Sequence, residues 1–182
     1  MLFLACRSPL VVFGLAATLG GTSAQSVSRP ERSNDGIWQA APSFPVRRTD
    51  IGGPYAVARL NKSALDRQLA RAPREAAPLS PGDEVVITLP LPDGRFSRFR
   101  IEETAMLTPE LAQAFPEVKT YRGAGVDDPT ATARLDWTSD GLHAMVIAAG
   151  GTVYIDPYAK GDLVTYISYN HADLRRTSES PR

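Results

Sequence analysis

Two tight turns decide most of what this chain can become. Ser139-Asp140-Gly141 and Gly150-Gly151 each separate runs in which apolar and polar residues alternate. Thr130 to Thr138 carries Ala131, Ala133, Leu135 and Trp137 on one side, with Thr132, Arg134, Asp136 and Thr138 on the other. Val118 to Arg122 precedes it; Leu142 to Ala148, Thr152 to Asp156 and Leu163 to Tyr169 follow. A period of two marks a half-buried strand. A turn of two or three residues joins only antiparallel neighbours, because a parallel pair needs a crossover of a dozen residues or more. This half of the chain therefore reads as an antiparallel sheet.

The preceding part adds a hairpin and two helices. Glu84 to Leu89 and Arg95 to Glu102 flank Pro90-Leu91-Pro92-Asp93-Gly94, and the Asp-Gly pair supplies the positive φ that a hairpin turn needs. Phe96 falls out of phase with Phe99 and Ile101, which marks a bulge or the strand's start. Tyr55 to Leu60 reads as a further strand. After a cap at Asn61 or Ser63, Ala64, Leu65, Leu69 and Ala72 form a stripe with helical spacing that Pro73 ends. Thr108 caps a second helix, with Pro109 at its first position and Pro116 as its stop. The expected fold class is α+β: an antiparallel β-sheet of hairpins with two short helices packed on it. Residues 55–170 form that domain. Residues 25–54 sustain neither period and read as an irregular arm docked by Trp38 and Phe44, and 171–182 read as a linker or frayed tail.

The first 24 residues read as a signal peptide. Arg7 precedes the apolar run Leu10 to Leu19, and Thr22 and Ala24 are the small residues before a cleavage between Ala24 and Gln25. The run is short of the ~20 residues that span a bilayer, so the mature chain is expected to be secreted or periplasmic and off the membrane. Cys6, the only cysteine, leaves with the leader. The mature chain then has no thiol and no disulfide, and packing alone must hold it. Arg7 is also the leader's only charge, so a net charge of 0 becomes −1. Neither sign dominates, which gives no case for nucleic acid. The dibasic pair Arg47-Arg48 reads as solvated surface sooner than as a processing site.

Few residues are candidates for chemistry. The two histidines, His143 and His171, share no helix, and a zinc site needs three or four ligands, so no metal and no cofactor is expected in this chain. His143 lies on a strand on the side of Met145 and Ile147, and His171 lies in the solvated tail. No Gly-x-Ser-x-Gly elbow is present, and no catalytic residue is assigned. Asp127-Asp128-Pro129 reads as a turn, in which Asp127 bonds an amide two residues on. Gly123 and Gly125 read as positions that cross an edge or bulge with positive φ. Tyr154, Tyr158, Tyr166 and Tyr169 read as half-buried core and rim. Asp127, Asp128 and His143 are the candidate contacts to a partner.

An ordered set of segments carries a resemblance. It runs Pro116-Glu117-Val118-Lys119-Thr120-Tyr121, Gly123 and Gly125, Asp127-Asp128-Pro129-Thr130-Ala131-Thr132, Gly141-Leu142-His143-Ala144-Met145 and Thr152-Val153-Tyr154-Ile155-Asp156-Pro157. This resembles the amino-terminal prodomain of secreted bacterial reprolysin-like (adamalysin-type) zinc metallopeptidases, over about Tyr55 to Asn170. The catalytic domain of that family carries a His-Glu-x-x-His-x-x-Gly-x-x-His zinc site, which is absent from this sequence. The resemblance implies a non-enzymatic, propeptide-type domain that assists folding or latency of such a peptidase, from a truncated or split precursor. Its partner would be the metallopeptidase catalytic domain, in cis or in trans, and zinc would belong to that domain. Many related animal prodomains cap the zinc with a cysteine, and the mature chain has none. A carboxylate, a histidine or steric cover would have to serve, or an edge strand lent to the cleft by strand addition. The alternative is a free-standing secreted binding module; a hydrolase in its own right ranks last.

Overall fold

The computed structural model describes residues 31–41, 50–75, 77–78, 80, 82–104, 109–115 and 118–175. The leader with its Ala24-Gln25 junction, Phe44, Arg47-Arg48, Thr108 and Pro116 lie outside the described residues.

In chain order the elements are β1 (Trp38–Ala40), β2 (Tyr55–Leu60), α1 (Lys62–Leu69), β3 (Val85–Pro90), β4 (Phe96–Thr104), α2 (Pro109–Ala114), β5 (Lys119–Gly125), β6 (Thr132–Thr138), β7 (Gly141–Ala148), β8 (Gly151–Pro157) and β9 (Thr165–Asn170). A one-turn 3-10 helix, His171–Asp173, follows. The nine strands form one sheet in the order β1-β2-β9-β8-β7-β6-β5-β4-β3, every pair antiparallel. From β3 to β9 the chain simply meanders, and β2 and β1 add themselves beyond β9.

The expectation of an α+β fold with two helices packed on a sheet is thereby overturned. The molecule is mostly β, and its sheet curls until the end strands β1 and β3 face one another in a nearly closed barrel. The physical reason lies in the sheet's size. Nine twisted strands with one apolar face bury that face against themselves, as in barrels of about eight strands whose interior side chains just fill the bore. Helices are not needed as a second layer.

The seam between β1 and β3 is closed by side chains. The Trp38 indole Nε1 donates to the Thr88 carbonyl at 2.7 Å, and the Thr88 amide donates to Asp35 Oδ2 at 2.7 Å. Asp35 Oδ1 takes the Ser33 hydroxyl and the Ile37 amide. Ser168, buried on β9, donates its hydroxyl to the Pro90 carbonyl. These bonds occupy backbone groups that β3 would otherwise leave unpaired. The outer edge of β1 is paired in turn with residues 31–33, through Ser33 N to Trp38 O and Ala40 N to Glu31 O. On β3 the Thr88 amide and carbonyl and the Pro90 carbonyl are occupied in this way, so part of the edge that strand addition would use is already bonded.

Large and small residues interlock inside. Trp38, Tyr166, Phe99, Leu135 and Ile155 are fully buried among Ala58, Ala133 and Ala144, and each large side chain contributes about 1.5–3 kcal/mol. The Trp38 and Tyr166 rings meet edge to face at 5.4 Å. Trp38 is 1% exposed, so the segment read as an irregular arm supplies both a strand and a central core residue. Helix α1 is capped by Asn61, whose side chain accepts from the Ala64 amide. It turns Ala64, Leu65 and Leu69 into the core, and Lys62 sits 4.7 Å over the Trp137 ring at the end of β6. The chain thus leaves β2 and covers that mouth of the barrel before entering β3. Phe96 proves to be the start of β4, not a bulge.

Candidate functional site

Alternation along β7, β8 and β9 sends one residue in two outward, and that outer wall gathers both histidines with Tyr154 and Tyr169. His143 on β7 stands opposite Asp156 on β8, one step from the registered pair Ala144–Ile155. Its Nδ1 lies 2.7 Å from Asp156 Oδ1. Tyr169 on β9 donates its hydroxyl to Asp156 Oδ2, also at 2.7 Å. The two carboxylate oxygens are therefore held by residues of both neighbouring strands. The Tyr154 and Tyr169 rings lie 6.0 Å apart, and His171 packs edge-on against Tyr154 at 5.4 Å. Both histidines of the chain thus lie on one wall, and His171 is exposed, as expected, while also touching Tyr154.

An ionised carboxylate only accepts hydrogen bonds, so beside Asp156 the Nδ1 of His143 is the donor, and in the neutral ring Nε2 carries the lone pair. The side chain is 41% exposed. It lines a cavity of about 250 Å³ with Asp140, Asp156, Pro157 and Lys160. An oriented imidazole of this kind acts as an acceptor, a base or a single metal ligand. No serine, threonine or cysteine is bonded to it among the described residues. Nor, among those residues, does any group of three His, Cys, Asp or Glu side chains come close enough to hold a metal ion.

A continuous row of side chains crosses the wall. In register it runs Arg134 on β6, Met145 on β7, Tyr154 on β8, Tyr169 on β9 and Tyr55 on β2. Met145, Tyr154, Tyr169 and Tyr55 are all half-buried, and Ile147 beside them is 46% exposed.

The other two candidate contacts lie elsewhere and do structural work. Asp127 does not bond an amide two residues on. Its carboxylate accepts from the Arg98 amide at 2.7 Å and from Arg98 Nε and Nη2 at 2.9 and 2.6 Å. Those bonds hold the Asp127 carboxyl below the usual carboxylate range and raise the Arg98 guanidinium. Asp128 forms the expected turn, taking the Thr130 hydroxyl and amide on Oδ1, which lowers its carboxyl too. The structure thus separates the Asp127-Asp128 pair from His143.

Asp156 and Tyr169 are the residues that sequence reasoning missed. The turn is Ala149-Gly150, with Ala148 paired to Gly151, and this register sets Asp156 opposite His143; counting from Gly150-Gly151 sets Tyr158 there, so the sequence alone missed the pair by two residues. Tyr169 was beyond such counting, because residues 158–164 form a longer connection that does not fix the register of β9. No helix among the described residues is long and apolar enough to cross a membrane. No family model, no curated protein and no solved structure matches the chain.

Proposed function

We propose that this chain is an exported, propeptide-type domain that assists folding or latency of a reprolysin-like zinc metallopeptidase, and that it docks through the outer wall of β7 to β9. It takes no catalytic part itself. One observation carries the reading. Within the segments that bear the prodomain resemblance, Leu142, Ala144 and Ile155 point inward and fill the core. His143, Met145, Tyr154 and Asp156 point outward onto one wall. The inward residues are explained by folding. The outward ones are a half-apolar surface that the core does not require, and aromatic and methionine side chains are what the centres of protein interfaces favour.

The test mixes the purified chain with a mature reprolysin-like peptidase domain. The expected outcome is slower peptide cleavage or a higher refolding yield, with both proteins eluting together. A double variant, Met145→Arg with Tyr154→Arg, should lose the effect while keeping its melting temperature. No change in activity, yield or elution volume for the unaltered chain would sink the proposal.

A second reading, a free-standing secreted binding module, draws on the row of Tyr154, Tyr169 and Tyr55, since tyrosines side by side also suit flat ligands. A nearby reading frame with a three-histidine zinc motif favours the first reading; its absence from the neighbourhood favours the second.

A further inference from the structure

We infer that the cleft between residues 31–34 and the outer wall of β3 and β4 binds a carboxylate carried on a flat apolar ring. Arg98 and Arg32 take the carboxylate, and Phe96 takes the ring. The cleft lies away from the wall of β7 to β9, and its ligand binds whether or not a peptidase docks there.

Three observations lead there. The first is shape. Thr88 on β3 has Arg98 on β4 beside it in register. On its other side it is bonded to the start of the described chain: the Thr88 amide donates to Asp35, and its carbonyl accepts from Trp38. β3 thus forms the floor of a cleft of about 460 Å³, within the ~300–1,000 Å³ of small-molecule sites. The second is charge. Arg32, Arg98 and Asp127 all line the cleft, so two arginines face one carboxylate, and that carboxylate is committed. Asp127 Oδ1 takes Arg98 Nε and Nη2, and Oδ2 takes the Arg98 amide. These bonds fix the guanidinium plane. They leave Nη1 and the second hydrogen of Nη2 without a partner among the described residues. Arg32 makes no side-chain bond among those residues either. The open end of a guanidinium offers two parallel N–H groups, which match the two oxygens of a planar carboxylate. The third is the apolar side. Phe96, paired with Pro90, is half-buried and lines the same cleft. A flat ring attached to the acid covers it in an offset or edge-to-face arrangement. A free aryl acid and the C-terminus of a peptide ending in an aromatic residue both carry this chemistry.

Isothermal titration of the chain alone tests the assignment. Benzoate stands for the free aryl acid and N-acetylphenylalanine for the peptide C-terminus, and the tighter of the two identifies the source. At least one should bind at millimolar concentration. Benzamide and N-acetylphenylalanine amide, alike in shape but uncharged, should give no binding heat. Acetate and inorganic phosphate lack the ring and should bind about tenfold more weakly, the worth of burying an apolar side chain. Arg98→Lys keeps the charge and loses the fork, and Arg32→Ala removes an exposed side chain. Each should weaken the bound acid about tenfold, as the loss of a hydrogen bond to a charged group does, with circular dichroism confirming that both variants are folded. Arg134→Ala, on β6 and outside the cleft, should leave the affinity unchanged. No heat from either acid would overturn the site. Phosphate binding as tightly as benzoate, or unchanged affinity in Arg32→Ala and Arg98→Lys, would do the same.

Discussion

Gly125 has no room for a side chain. A Cβ there would lie 2.0 Å from the Asp128 carbonyl oxygen and 3.1 Å from that of Ala131. At Gly123 it would press on Ala133 and Phe99 at 3.1 and 3.2 Å. Neither glycine has a positive φ, so close approach is the cause and not the positive φ of an edge or bulge crossing that was expected there. Gly125→Ala should destabilise the fold by about 1–3 kcal/mol, as overpacking does. Gly150→Ala meets nothing within 4 Å and should be neutral within about 0.5 kcal/mol; urea midpoints compare the two. Tyr121 offers a pH signature. Burial, aided by Glu103 and Asp66, pushes its phenol up to about 12 from 10.0. The folded state then keeps a proton that the unfolded state gives up. The stabilisation is whole below pH 10 and is lost as pH rises toward 12. Urea midpoints between pH 9 and 12 should fall, and less steeply in Tyr121→Phe. At this scale the sequence showed which residues were unusual but not why, because a close approach is a distance between segments.

The strands were legible wherever alternation ran for five residues or more, as in β6 and β7. β1 was not, since three residues are too few to show a period. Its evidence lies in what it touches: β2 on one side and the seam with β3 on the other. Asp35 is the critical group at that seam, accepting from Ser33, Ile37 and Thr88. Asp35→Ala would strand the Thr88 amide, and a buried donor without a partner costs about 1–3 kcal/mol. The expected result is a destabilisation of that size, with faster hydrogen exchange at Thr88 than at Phe99, which the variant leaves paired within the sheet. Asp35→Asn, which keeps one acceptor oxygen, should cost less. Equal exchange at both amides in Asp35→Ala would show that the seam is held by packing alone.

The described residues form a filled, nearly closed barrel with their charges outside, and the acid response follows from that. Asp127, Asp128 and Asp162 all sit below the ordinary carboxylate value of 3.8. Arg98 lowers the first and the Thr130 hydroxyl the second. For Asp162, burial works the other way and is outweighed by the Thr165 and Val164 amides. A lowered folded value means stability that is present above pH 3.8 and lost as pH falls through the folded values. The groups are mostly solvated, so the loss should be gradual and weaker in salt. Asp127→Asn should lower stability at pH 7 and flatten the fall below pH 4, as read from melting temperatures. By itself the sequence determined the antiparallel hairpins, the faces of their strands and a helix after β2 with Asn61 or Ser63 as its cap, because alternation, caps and turns are local. Only the tertiary structure decided that the sheet closes on itself, that Trp38 belongs to the core, and that His143, Asp156 and Tyr169 meet. Closure depends on the summed twist of nine strands, and register across a long connection depends on how the two faces pack. Neither quantity is carried by any short stretch of residues.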